Sequence, residues 1–243
     1  PGDGSSLFFR NSTGNRNREF TVGGLSFRYN LDYDLGPVAN ELFAGVRFHY
    51  EGAAEQYLIG ENGKSPSGVI RDHEVRDTVA LALYLQNNFR LLNRKLRISP
   101  GFRFELIRGF RHLFRTRVKQ ADGTRKIQDT DLQQDNLMVA PIPGIGLSYE
   151  LSRGLNLFAG VPRGFAPPRT KVSITAVGDD LELDPEFSWN TELGIRWRKK
   201  NYFFAEVAVF YTYFESQVIP PSESSGAVAN DPNLAGKSSI NGG

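Results

Sequence analysis

The sequence predicts an all-β fold: an antiparallel, up-and-down transmembrane β-barrel, incomplete here, with roughly eight to ten strands of a larger barrel. Three observations predict it. Apolar residues recur at every second position over segments longer than the usual globular strand of about five or six residues. Short turns alternate with long polar loops. Tyrosine and tryptophan gather at the ends of the apolar stripes, as they do where strands leave a membrane.

In chain order, the first stripe is Leu25, Phe27, Tyr29 and Leu31. The second is Leu42, Ala44, Val46, Phe48 and Tyr50, set against Arg47, His49 and Glu51. From Val75 to Leu91 the pattern is longest. Val75, Val79, Leu81, Leu83, Leu85, Phe89 and Leu91 share one parity, and only Asp77 and Asn87 interrupt it. Arg76, Thr78, Ala80, Ala82, Tyr84, Gln86 and Asn88 share the other. A strand sends alternate side chains to opposite faces, whereas a helix would mix the two sets. Leu96, Ile98, Phe102, Phe104 and Leu106 continue the series, followed by Leu155, Leu157, Ala159 and Val161. Phe187, Trp189, Leu193, Ile195 and Trp197 precede the last full stripe, Phe203 to Tyr213. Short turns are expected at 34–37, 91–95, 152–154 and 199–201. Long loops are expected at about 53–74, 113–135, 166–182 and 219–238.

Composition narrows the function classes. The chain has 243 residues, a formal net charge of +2 and no cysteine. That balance calls for no nucleic acid, and the missing thiols exclude disulfides, thiolate metal sites and cysteine nucleophiles. No apolar run is long enough for a membrane helix. Residues 1–14 lack the basic start and apolar stretch of a signal peptide. The whole of 1–243 therefore reads as one partial barrel domain, with no signal peptide, plug domain or barrel-closing strand. Three scattered histidines and no paired carboxylates point away from an enzyme, and no cofactor or metal site is expected. "RDHE" (71–74) and "GDDLELDPE" (178–186) lack metal-ligand spacing. Gly144 and Gly146 read as small lumen residues or bulge positions. Period two alone leaves a soluble β-sandwich binding module open, and a passive outer-membrane porin shares every feature above.

Several motifs in order make the reading more specific. "FAGVPRGFAPPR" (158–169) resembles a strand-end signature of TonB-dependent outer-membrane receptors. "LELDPEFSWNTELGIRW" (181–197) resembles the element that follows it in that family. "ISPGFRFE" (98–105) and "PIPGIGLSYE" (141–150) resemble its Pro-Gly strands, and "NLAGKSSINGG" (233–243) the approach to a further strand. Within the family, 158–169 is most similar to receptors for ferric dicitrate, an iron chelate. The resemblance implies a plugged barrel in the bacterial outer membrane. It implies uptake of a ferric chelate, driven by the TonB complex through a plug domain that this stretch lacks. Outer-membrane lipid and lipopolysaccharide would surround it. Ligand would be held by outer loops and upper lumen side chains, where guanidinium groups match carboxylate geometry. The candidates are Arg47, His49, Arg76, Arg108, Arg111, Arg115, Arg163 and Arg169, with His112 and Arg117 beside them. Pro162, inside a strand pattern, has no explanation in the sequence; a bulge or an early end to pairing is expected there.

Overall fold

In a computed structural model, residues 13–65, 67–120, 124–168, 185–199, 202–219 and 240–242 are described. They form one sheet of nine antiparallel strands, each beside its sequence neighbours. The strands are β1 (Gly14–Leu35), β2 (Val38–Ile59), β3 (Val69–Leu91), β4 (Leu96–Lys119) and β5 (Arg125–Ser152). β6 (Leu155–Ala166), β7 (Glu186–Lys199), β8 (Phe203–Ile219) and β9 (Ile240–Gly242) follow. Among the described residues there is no helix and no second layer, so the sandwich reading fails. Leu25, Phe27, Leu83, Leu85, Phe102, Val207 and Val209, which a sandwich would bury, all stand exposed.

The register puts the predicted stripes on one face. Leu25 pairs with Phe48, Phe48 with Leu81, and Leu81 with Leu106. The two interruptions of β3 mark the borders of this apolar band. At one border the Tyr50 hydroxyl donates to Asp77 at 2.6 Å. At the other, Asn87 donates to Asn40 at 3.1 Å, and the Tyr33 hydroxyl donates to Asn87 at 3.4 Å. Asp77 and Asn87 are ten residues apart, about 33 Å of strand at about 3.3 Å per residue. A tilt of about 40° reduces that to about 25 Å, the height of the lipid-facing band of outer-membrane barrels.

Three of the four short turns fall where expected, at 36–37, 92–95 and 153–154, and the fourth, expected at 199–201, lies mostly outside the described residues. Two of the long loops do not. Residues 53–59, 69–74, 113–119 and 125–135, expected in loops, are strand. Beyond the band both faces meet water, so hydropathy stops alternating while the hydrogen-bond ladder continues. The connections there shrink to 60–68 and 120–124. Most of the expected loops 166–182 and 219–238 lies outside the described residues.

The other face is concave. One cavity of about 570 Å³ is lined by residues from β1 through β5 and, from beyond β6, by Pro167 and Pro168. Such a span requires the sheet to curl. Pro162 explains how the end of β6 reaches inward. β5–β6 pairing stops at Gly144↔Pro162, although β5 runs on for many residues. On the β7 side the ladder skips Val161 and Pro162, then resumes in unchanged register at Arg163↔Trp189. Proline has no N–H to donate, so the ladder parts there without a bulge. Above it, Phe165 and Pro167 share a second cavity with Ala80, Ala82 and Ile107 on the concave wall. Ala82, Ile107, Met138 and Ala140, all on that wall, are among the buried apolar side chains.

Candidate functional site

The concave face carries charge at two levels. The upper level lies above the band, where β1 to β4 approach the outer connections. Glu55 of β2 faces Arg16 at 4.0 Å, Arg18 at 3.5 Å and Arg76 at 3.4 Å. Arg76 also binds Glu74, and Arg111 donates through Nε to Glu74 at 2.9 Å. Glu55, Glu74 and Arg111 are buried. Four guanidinium groups thus stand against Glu55 and Glu74, with Glu51 a third carboxylate lining the cavity, and Arg16 and Arg18 are the most exposed of the four. The Tyr57 ring adds two cation–π contacts, with Arg16 at 5.2 Å and Arg71 at 3.8 Å. Below, the 570 Å³ cavity has an apolar floor of Ala53, Ile107 and Met138.

The lower level lies at mid-band. Ser26 pairs with Arg47, Arg47 with Ala82, and Ala82 with Glu105. The next row is Arg28, Gly45, Tyr84 and Arg103. A Cβ on Gly45 would stand 2.5 Å from the Tyr84 ring, so only glycine lets that ring lie across β2. Arg103 donates to Glu105 at 2.6 Å, and His49 Nε2 is 4.0 Å from Glu51. Arg28 and Arg47 make no hydrogen bond or ion pair among the described residues. Both line a concavity of about 920 Å³ with His49, Tyr84 and Arg103.

The structure therefore brings Arg47 and His49 together and joins Arg76 to Arg111 through Glu74. It separates the other candidates from them. Arg108 lies on the apolar face at its outer edge, where it binds Asp135 at 2.8 Å. Its guanidinium also covers Phe110 at 4.8 Å. His112 and Arg115 lie in the outer extension of β4. His112 Nε2 is 2.7 Å from Asp131, and this hydrogen bond holds the Asp131 carboxyl below its usual range. Arg115 is 3.3 Å from Asp129. Arg117 is exposed in the same extension. Arg163 bridges Pro141 O at 2.9 Å and Glu215, with its guanidinium over Phe187. Arg169 lies outside the described residues. In "RDHE", Arg71 binds Asp72, His73 stacks on Phe114, and Glu74 takes the two arginines. No group of three metal-ligating side chains occurs among the described residues.

Arg16, Arg18, Arg28, Arg103 and Glu55 are not among the residues the sequence singles out, and Glu74 stands out there only within "RDHE". The alternation "NRNRE" (15–19) held a signal for Arg16 and Arg18. No apolar stripe runs opposite it to assign a face.

The family described as "TonB dependent receptor-like, beta-barrel" matches residues 2–242. Among solved structures, the ferric citrate transporter FecA is 24% identical with a TM-score of 0.66, covering 86% of this chain and 29% of its own. The ferric-catecholate import receptor Fiu from K12 E. coli is 13% identical with a TM-score of 0.64, covering 84% of this chain and 33% of its own. The ferric yersiniabactin uptake receptor FyuA from Yersinia pestis is 16% identical with a TM-score of 0.61, covering 85% and 30%. At these identities the likeness is one of fold, and the chain spans about a third of each relative.

Proposed function

The chain belongs to the TonB-dependent receptor family of the bacterial outer membrane, and from that membership we propose that it is part of a receptor for a ferric chelate. The receptor captures the chelate from outside and imports it with energy from the TonB complex, acting through a plug domain. No step requires the sheet to do covalent chemistry; the role is that of a transporter, not of an enzyme. The family match carries the reading. The two-faced sheet supports it, with a band of about 25 Å for lipid and a charged concave wall for a hydrated path.

The finer reading is ferric dicitrate. Supporting it are the wording of 158–169 and the guanidinium groups at the upper level, where Arg16 and Arg18 remain accessible. A chelate bearing free carboxylates fits such donors. The apolar floor of the same cavity favours a ligand whose inner surface is not wholly polar.

The experiment is uptake of radiolabelled ferric citrate by cells carrying the intact gene, a deletion, or the gene without the TonB complex. Uptake that is lost in the deletion and in the TonB-deficient strain supports the reading. Uptake that survives without the TonB complex makes the protein a passive channel and sinks it. Uptake of a ferric catecholate but not of ferric citrate removes the dicitrate reading alone.

A further inference from the structure

At mid-depth in the apolar band, Arg28 and Arg47 face the concavity with no ion-pair partner among the described residues. Ala82 lies halfway along β3 between Asp77 and Asn87, and Arg47 is its cross-strand partner. Arg28 is diagonal to Arg47 on β1, since Arg47 pairs with Ser26. Diagonal neighbours stand about 7–8 Å apart, close enough for like charges to repel when nothing lies between them. Intramembrane charges that face a water-filled space mark pathways for ions or substrates. The levels are distinct: Arg76 and Ala82 are six residues apart, about 20 Å of strand.

The surroundings strengthen the pair's field. Arg47, His49, Arg103 and its partner Glu105 also line the smaller cavity of about 260 Å³ whose other walls are Ala80, Ala82, Ile107, Phe165 and Pro167. Apolar atoms on one side lower the local dielectric and raise the attraction for an anion. Arg103 contributes little net charge, because Glu105 neutralises it. Tyr84, between Arg28 and Arg103, adds a hydroxyl beside the concavity. We propose that Arg28 and Arg47 form a second, internal anion seat, through which a carboxylate-bearing chelate passes after leaving the upper level. The identity of the passing anion rests on the function proposed above; the seat itself rests on the geometry.

The test uses the full-length receptor in its outer membrane. Ser26, opposite Arg47, is replaced by cysteine (Ser26→Cys), and its rate of reaction with an anionic and a cationic methanethiosulfonate reagent is compared. Wall potentials of several kT predict that the anionic reagent reacts about tenfold faster. Arg28→Gln/Arg47→Gln brings the ratio to about one, and Arg28→Lys/Arg47→Lys restores most of it. In the same double glutamine variant, energised uptake of radiolabelled ferric citrate falls about tenfold, while binding to de-energised cells stays within about twofold. A ratio at or below one with both arginines present overturns the seat, since acidic groups elsewhere in the receptor then neutralise it. Unchanged uptake in the glutamine variant, or equal loss of binding and uptake, overturns its role in passage. If the unmodified receptor takes up no ferric citrate, the dicitrate reading falls, and the reagent ratio still decides the seat.

Discussion

Pro162 and Gly144 form one unit at the residue scale. A Cβ on Gly144 would stand 3.2 Å from Pro162 Cα and 3.3 Å from its Cβ, tighter than ordinary contact. Gly144→Val should therefore push Pro162 away and loosen the junction of β5 and β6. Overpacking of this kind costs about 1–3 kcal/mol, read as a lower urea midpoint for refolded receptor in detergent. An unchanged midpoint would mean that the junction yields freely. Gly144 had been readable only as a small residue, because its partner across the sheet depends on register. Arg47 and His49 were legible as neighbours on one strand face, since period two fixes their parity. The carboxylates on Arg76 and Arg111 were not, because Glu55 and Glu74 come from strand ends with no apolar stripe beside them.

At the scale of a strand, β3 distinguishes its two faces. Leu83 is at mid-band on the apolar face and half-exposed, whereas its neighbour Ala82 is almost wholly buried on the concave face. Leu83→Arg should cost about 2–4 kcal/mol in refolding into lipid bilayers, the penalty of a lipid-facing charge near the midplane. The equivalent change near the border of the band, Val79→Arg, should cost about 1 kcal/mol or less. Equal penalties at both positions would refute a lipid-facing band. The band was the most legible part of the fold, because alternation, cross-strand pairing and turn signals all agree there. Strand ends were the least legible. Outside the band nothing apolar marks a face, and charged residues that looked like loops continue the ladder to Lys119 and from Arg125.

For the molecule as a whole, the family and the membrane placement were legible from ordered motifs, each weak alone. The inward lean of the end of β6 was not, because it depends on a ladder that parts at one proline and on a wall of small side chains under Phe165. That lean also divides what the outside world can touch. The turn at 61–64 belongs to the outer rim, while Pro167 and Pro168 sit within the bore. With biotin-maleimide on intact cells, Asn62→Cys should bind streptavidin, whereas Pro167→Cys should not, though both react in solubilised protein. Streptavidin capture at both sites would place the end of β6 on the surface. A probe too large to enter the bore, an antibody for example, would therefore meet the rim and never the proline segment.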